Sequence, residues 1–314
     1  MNDRQPPSGD SPYRGPPSGK PRDKRERERD RQGRPLEAEA PVRRGPPRDR
    51  DHERAEADAD LLRAYSDTPK APREQRLHGL NACLAMFARR PQDLRKVWLL
   101  EARIPQLKAV LAHCVQHRLG YTIVADEDLQ KLSASAHHEG VVFGTMPAAE
   151  AKLSDWLRDL KPGPQLAIWL DGVGNPHNLG AILRSAAHFG VAGLLLPHQS
   201  PLALSGAAAR VAEGGAEQVA MVRMGRADNS LAQLASAGFS AVATVVRGGK
   251  PLYGTALPER LLLVMGAEQA GIDPALAEAA AMRVAIPGTG AVESLNVAAA
   301  TAVFLGEWWR QRRA

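Results

Sequence analysis

Cysteine and long hydrophobic runs are both scarce in this sequence. Cys83 and Cys114 are the only cysteines among 314 residues, and each lies in an apolar helical pattern. This predicts two buried thiols and gives no support to a disulfide framework or a thiolate metal site. No apolar stretch is long enough to cross a bilayer, and the first ten residues lack the apolar core of a signal peptide. The sequence therefore predicts a cytoplasmic protein without a membrane span.

The first fifty residues lack the apolar side chains that a packed core requires. They hold ten of the twenty-four prolines, and fourteen Lys and Arg against nine Asp and Glu, which supplies +5 of the formal net charge of +6. With the polar stretch that follows, this composition predicts a disordered, basic tail over 1–72. Such a tail favours a polyanionic partner, although the mixed charges at 21–34 are equally typical of a solvated segment.

Two α/β units are predicted beyond the tail. In 73–147, apolar residues return at helical spacing from Leu77, and short apolar strands follow. A Pro-Gly-Pro sequence ends the next helical stretch and marks 148–162 as a linker. In 163–314, strands with little period-two alternation are separated by helices, which predicts a mostly parallel sheet covered on both faces. These strands are predicted in the segments QLAIWLDGV, AGLLLP, FSAVATVV, RLLLVMG and AMRVAIPG.

The first candidate site follows the strand that ends at Asp171. A turn, GVGNPHN, precedes a helix, so polar side chains stand where the carboxyl edge of a sheet meets a helix amino terminus. Asn178 is predicted to cap this helix, and Arg184 projects from its second turn, free to contact a phosphate or a developing oxyanion. A capped helix with a surface arginine is the structural alternative. The spacing matches neither G-x-G-x-x-G nor a P-loop, which disfavours a nicotinamide enzyme or an ATPase.

Two further strand–loop–helix junctions carry polar residues. Gly266 ends a buried strand and is followed by Glu268 and Gly271, a spacing that predicts a tight turn with its carboxylate facing a crevice. Near the carboxyl terminus, Ser294 is predicted as a helix cap, with Asn296 in the first turn. Taken separately, these are an ordinary turn with an exposed glutamate and a well-formed terminal helix. Three such junctions together predict one shared crevice.

Three motifs carry a family resemblance. The segments N-P-H-N-L-G-A-I-L-R-S-A-A-H-F-G, L-L-L-V-M-G-A-E-Q-A-G-I and I-P-G-T-G-A-V-E-S-L-N-V resemble, in order and separation, those of the SpoU (TrmH-type) branch of the SPOUT RNA methyltransferases. The segments HGLNACLAMF and HHEGVVFG make the preceding unit, 73–147, similar to the L30e-like substrate-binding domain of that family. The resemblance covers about 73–314.

The resemblance implies a trefoil-knotted α/β domain, a homodimer without metal, and methyl transfer from S-adenosyl-L-methionine to a ribose 2′-hydroxyl of tRNA or rRNA. It places Gly266, Ile286 and Leu295 against the methyl donor. It assigns the catalytic centre to Asn178, Arg184, Glu268, Ser294 and Asn296. A 2′-hydroxyl is a weak nucleophile, and Arg184 is suited to stabilise its alkoxide, whereas service as the proton acceptor would require the guanidinium to lose its charge.

Three positions depart from the family pattern. Ala298 stands where members often carry serine, Gly288 where methionine is common, and Glu213 where a small residue is usual. An RNA- or ribosome-binding protein of the same fold that has lost turnover is therefore the alternative. Retention of the five polar residues assigned to the catalytic centre favours the enzyme.

The histidine and tryptophan pairs indicate no separate site. The side chains of the adjacent His137 and His138 point to opposite faces of an extended segment, which disfavours a shared metal ion. Trp308 and Trp309 end an apolar helix and are predicted as core or dimer contacts rather than base-stacking groups.

Overall fold

Two β-sheets organise residues 74–313, which are the residues that the computed structural model describes. The smaller sheet has the strand order β1-β4-β2-β3, with β4 antiparallel to β1 and β2, and β3 parallel to β2. Its strands are β1 (Gln75–His78), β2 (Leu94–Leu99), β3 (Gly120–Ile123) and β4 (Val141–Thr145). The tail predicted over 1–72 lies outside the described residues.

Helices accompany the smaller sheet, and the first two of them form a core with one of its faces. The helices of this unit are α1 (Leu80–Arg89), α2 (Lys108–His117) and α3 (Asp126–Ser133). Cys83 of α1 and Cys114 of α2 are buried free thiols in the core beneath these helices, as predicted, and burial raises the pKa of both. The prediction that Leu77 is helical is wrong, because its backbone pairs with Phe143 of β4. The helix starts only after Gly79, whose φ of 91° reverses the chain.

The larger sheet confirms the predicted mostly parallel α/β unit. Its strand order is β10-β12-β9-β11-β6-β7-β8-β5, and each neighbouring pair is parallel. Its strands are β5 (Ala151–Lys152), β6 (Gln165–Asp171), β7 (Gly193–Leu196), β8 (Ala220–Arg223), β9 (Ser240–Thr244), β10 (Lys250–Pro251), β11 (Arg260–Gly266) and β12 (Met282–Ala285). The five predicted strands are β6, β7, β9, β11 and β12, whereas β5, β8 and β10 were not predicted. The knot stays a prediction.

Six helices in the described part of the chain accompany this sheet. They are α4 (Leu153–Arg158), α5 (Pro176–His188), α6 (Gly206–Ala212), α7 (Ala227–Ser236), α8 (Pro274–Ala279) and α9 (Val297–Arg313). Within the residues described, no helix is both long enough and apolar enough to span a bilayer.

Both faces of the larger sheet are buried, which explains why its strands read as continuous apolar runs. In β6, Leu166, Ile168 and Leu170 point into one buried cluster, while Ala167 and Trp169 point into another on the opposite face. Successive side chains of a strand alternate between faces, so a strand covered on both sides needs apolar residues at every position.

The segment 148–162, predicted as a linker, contributes to the larger sheet. It contains β5, which pairs in parallel with β8, and α4, whose Trp156 is buried. The indole Nε1 of Trp156 donates to the carbonyl oxygen of Ala192 at 3.2 Å. Gly193 is required beside this ring, because a Cβ there would lie 2.7 Å from the indole. The segment is therefore packed into the same core as the residues that follow it.

The two sheet units are joined through α6 and the turn after it. Helix α6 packs against β1 and α1. Arg90 forms a buried ion pair with Glu217, with Nε 3.0 Å from Oε2, and their side chains are 9% and 7% exposed. Asn81 Nδ2 donates to Glu213 Oε2 at 2.7 Å, and Glu213 adopts φ 51° at the end of α6. Charged and polar side chains therefore fix the smaller unit against the larger one.

His78 is a buried histidine in this contact. Its side chain is 3% exposed, and neither ring nitrogen has a hydrogen-bond partner in the described structure. Burial, together with the nearby Arg210 and His138, lowers the pKa of His78, and Glu139 opposes this shift only in part. The neutral imidazole is therefore the form that the fold accommodates.

Candidate functional site

The first junction begins at the end of β6, where Asn175 caps α5. Its side chain accepts the backbone N–H of His177 at 2.8 Å, and Pro176 occupies the first helical position. The prediction of Asn178 as the cap is therefore wrong. Proline suits the first helical position because its φ is already helical and it has no N–H to satisfy. The cap is therefore the residue directly before Pro176. Asn178 lies in the first turn, with its side chain available for other contacts.

The junction before α9 shows the same kind of shift. Asn296 Oδ1 accepts the backbone N–H groups of Ala298 at 2.9 Å and Ala299 at 3.4 Å, so Asn296 caps the helix that begins at Val297. The prediction of Ser294 as the cap is wrong, and Ser294 is exposed in the preceding loop. The capping oxygen leaves the Nδ2 group of Asn296 free to donate elsewhere.

Residues from all three junctions form one hydrogen-bonded cluster. Asn178 Nδ2 donates to Glu268 Oε1 at 2.8 Å, and Asn296 Nδ2 donates to the same oxygen at 2.9 Å. Asn296 Nδ2 also lies 3.0 Å from Asn178 Oδ1. A carboxylate that accepts from two amides fixes the orientation of all three side chains. The three segments therefore converge, as the sequence predicts, and we call these three residues the Asn–Glu–Asn cluster.

The loop that carries Glu268 is held by a close backbone approach. Ala267 and Gly271 exchange two backbone hydrogen bonds, at 2.9 and 3.0 Å. Gly271 has a φ of 71°, which favours glycine, and a Cβ on Gly266 would lie 2.3 Å from the carbonyl carbon of Gly271. Both glycines are therefore needed for the tight turn that presents Glu268.

A cavity of about 730 Å³ opens beside the Asn–Glu–Asn cluster, between three loops. The loops follow β9, β11 and β12, so the cavity lies at the carboxyl edge of the parallel strands, where α/β sheets bind ligands. Five of the predicted site residues line it: Gly266, Glu268, Ile286, Ser294 and Leu295. Its size is that of a small-molecule or cofactor site.

Arg184 neither lines the cavity nor forms a hydrogen bond with the cluster. It is exposed in the middle of α5 and does not line the cavity. No hydrogen bond or ion pair joins it to another of the residues described. Its guanidinium is therefore free to meet a ligand that approaches from outside.

Family models and relatives match this chain over both sheet units. The model described as the SpoU rRNA Methylase family matches residues 165–306, and the one described as RNA 2′-O ribose methyltransferase substrate binding matches residues 76–150. The 23S rRNA (guanosine-2′-O-)-methyltransferase RlmB of a Burkholderia species is 36% identical over 77% of this chain and 98% of its own. The chain belongs to the SpoU rRNA methylase family.

Another relative and one solved structure agree with this assignment. The uncharacterized tRNA/rRNA methyltransferase YfiF of Escherichia coli O157:H7 is 39% identical over 77% of this chain and 69% of its own. The crystal structure of an AdoMet-bound rRNA methyltransferase from Sinorhizobium meliloti has a TM-score of 0.62 and 25% identity, and covers 76% of this chain and 87% of that one. This SpoU family member is an S-adenosylmethionine-dependent RNA 2′-O-ribose methyltransferase.

Sequence reasoning missed one wall of the cavity. The end of β9 and the loop after it, Thr244 to Gly249, line the cavity together with the predicted residues. Thr244 Oγ1 donates to the carbonyl oxygen of Val264 at 2.9 Å, which ties β9 to β11 at this edge. The Arg-Gly-Gly sequence directly after a predicted strand is the signal that marks this loop, because the other cavity loops also follow strands and contain glycine.

No group of three or more His, Cys, Asp or Glu side chains within 74–313 is arranged to hold a metal ion. His137 is exposed, whereas His138 is buried and its Nδ1 accepts the backbone N–H of Gly140 at 3.1 Å. Trp308 is also buried, and its Nε1 donates to the carbonyl oxygen of Pro258 at 3.0 Å, which makes it a core residue.

Proposed function

We propose that this enzyme methylates the ribose of a guanosine in 23S rRNA, and that the Asn–Glu–Asn cluster stands at its catalytic centre. The convergence of Asn178, Glu268 and Asn296 beside the cavity is the observation that carries the proposal. The choice of RNA is supported by the RlmB relatives, which carry that substrate in their names and are matched over nearly their whole length. A ribosomal substrate would place the enzyme in the cytoplasm.

The cavity residues fit S-adenosylmethionine. Met265, Ile286 and Leu295 offer apolar surface, and the glycines at 266, 288 and 290 let main-chain groups come close to a ligand. Glu268 is the carboxylate that the cavity shares with the cluster. When bound, S-adenosylmethionine supplies an electrophilic methyl group. Gly266, Ile286 and Leu295 would hold it largely through backbone atoms.

Arg184 and the Asn–Glu–Asn cluster have different roles in the transfer: charge stabilisation and orientation of the substrate. As the 2′-oxygen takes up the methyl group, its proton passes to solvent water, and the guanidinium of Arg184, which stays protonated, stabilises the negative charge that develops on that oxygen. Asn178, Asn296 and Ser294 orient the ribose and its phosphate, and Glu268 fixes both amides. Orientation of this kind lowers the barrier because the reacting atoms are held in line before the reaction.

The active form is a knotted homodimer. Several large apolar side chains at or near the cavity loops are exposed in the single chain: Val246, Tyr253, Val292 and Leu295 are 53%, 55%, 70% and 47% exposed. A second copy would bury such a surface. Light scattering at micromolar concentration tests this point, and a monomer that is active on RNA would contradict it.

Methyl transfer from labelled S-adenosylmethionine tests the proposed function. Purified enzyme is incubated separately with unmodified 23S rRNA and with tRNA, and each RNA is digested to nucleosides. We expect label in 2′-O-methylguanosine from 23S rRNA. Label in tRNA alone would overturn the choice of RNA. RNA binding without any transfer would favour the alternative of a binding protein that has lost turnover.

A further inference from the structure

A row of cations crosses the outer face of the smaller sheet, on the side opposite α1 and α2. Arg76 of β1 is in register with Gly144 of β4, and Gly144 is in register with Lys96 of β2. Lys96 is in turn paired with Gly120 of β3. Residues directly opposite one another share a face, so two cations alternate with two glycines across four strands.

Trp98 lies on the same face, two residues after Lys96. The guanidinium carbon of Arg76 is 4.3 Å from the centre of its ring, and the Nζ of Lys96 is 5.0 Å away. Gly144 makes this arrangement possible, because a Cβ there would lie 2.8 Å from Arg76 Nη1 and 3.3 Å from Trp98 Cζ3. The glycine therefore leaves a flat strip on which the indole and the guanidinium are stacked.

Trp98 is only partly covered on this face, where its cross-strand neighbour is the fully buried Val142. Its neighbours along the strand, Val97 and Leu99, belong to the buried core, whereas Trp98 is in none of the buried apolar clusters and is only half-buried. Arg76 is exposed, and its carboxylate neighbour is Glu74, 3.9 Å away and itself half exposed. A solvent-facing pair of this kind contributes little to stability. The two cations and the half-buried aromatic ring of this patch are instead suited to a ligand that carries both negative charges and planar groups.

We infer that Arg76, Lys96, Trp98 and Gly144 form a platform for single-stranded RNA, which we call the sheet platform. The inference rests on the proposed function and assigns a surface to its substrate. A nucleobase stacks on the guanidinium plane of Arg76, which Trp98 supports from beneath, and Lys96 meets a phosphate. Stacking on aromatic rings and guanidinium planes is how proteins hold unpaired RNA bases. The platform is coupled to the catalytic unit, because α6 packs against both β1 and α5.

The test measures binding, separately from turnover. Full-length enzyme is titrated into a fluorescent single-stranded RNA at several salt concentrations. Trp98→Leu removes the aromatic plane, and we expect at least about fivefold weaker binding, whereas Trp98→Phe stays within about twofold of the original chain. Lys96→Ala should reduce the slope of affinity against salt by about one ion, whereas Gly144→Ala keeps all charges and should weaken binding without changing that slope.

The matched control is Lys108→Ala, an exposed lysine on α2, the helix that covers the opposite face. Equal RNA affinity for Trp98→Leu and the original chain would overturn the inference. The inference would also be overturned if Lys108→Ala weakened RNA binding as much as Trp98→Leu does, or if the weaker binding of Trp98→Leu accompanied a drop in its melting temperature. A change in the oligomeric state of Trp98→Leu with unchanged RNA affinity would overturn it as well. If the original chain binds RNA through this face but transfers no methyl group, the proposed function fails and the sheet platform stands.

Discussion

Replacing Arg184 with alanine removes a charge that contributes nothing visible to the fold. The residue is exposed, and it makes no hydrogen bond or ion pair with any residue in the described range. Its neighbours Ile182 and Leu183 carry the buried side of α5, and alanine is the strongest helix former. We therefore expect the free energy of unfolding to change by less than about 0.5 kcal/mol.

The expected loss is in the chemical step. Removing one group that stabilises a developing oxyanion costs about 10²- to 10³-fold in kcat, or about 2.7 to 4 kcal/mol. We expect Arg184→Ala to lose at least about a hundredfold in transfer rate while S-adenosylmethionine binds as before, because Arg184 does not line the cavity. Arg184→Lys keeps the charge but loses the planar fork, so it should recover part of the loss.

Single-turnover transfer of labelled methyl groups to RNA measures this rate, and calorimetric titration of the donor measures binding. The matched control is Arg158→Ala on α4, an arginine that is 68% exposed and lies outside the proposed site. A rate for Arg184→Ala within about twofold of the original would refute the role assigned to the guanidinium. Equal losses for Arg184→Ala and Arg158→Ala would refute it as well.

Four further substitutions test the cluster, the cavity and the fold. Asn296→Asp keeps the capping oxygen but sets a second carboxylate against the cluster, so transfer should fall at least about tenfold with little change in melting temperature; a normal single-turnover rate would contradict this. Gly266→Ala forces backbone to move, so donor affinity by calorimetry should fall at least about tenfold, and unchanged affinity would remove the glycine from the donor site. Glu217→Ala leaves Arg90 buried without its main partner and should cost about 3 kcal/mol in urea unfolding; a loss below about 1 kcal/mol would show the pair to be dispensable. Because the pKa of His78 is lowered in the folded chain, the unfolded chain binds a proton more readily, and the free energy of unfolding should fall as the pH drops below about 6.5. His78→Phe should flatten this pH dependence. An identical pH profile for the variant would exclude His78 as its source.

The sequence predicted the convergence of the site better than its local geometry. Asn178, Glu268 and Asn296 were each placed at a strand–loop–helix junction, and parallel strands bring such junctions to one edge. The two cap assignments were wrong by a few residues, since the helix start depends on which side chain reaches the first free N–H groups. At α5, Pro176 decides this, and Asn175 is the residue that precedes it.

The elements that sequence reasoning missed are those that depend on distant partners. Strands β5 and β10 have two residues each, so they carry no periodicity and exist only because β8 and β12 pair with them. Leu77 fits a helical face as well as it fits a strand, and its pairing with Phe143, far along the chain, decides between them. Short apolar patterns cannot distinguish these states without tertiary contacts.

The three departures from the family pattern leave the Asn–Glu–Asn cluster intact. Glu213 bonds to Asn81 where the two sheet units meet, so its effect is structural. Ala298 contributes a backbone N–H to Asn296, and any residue other than proline offers the same group. Gly288 lines the cavity with no atom within 4 Å of the position of a Cβ, so a smaller side chain here widens the cavity and moves no member of the cluster. Because none of these changes removes a donor, an acceptor or a charge from the cluster, they give no physical reason for a loss of turnover.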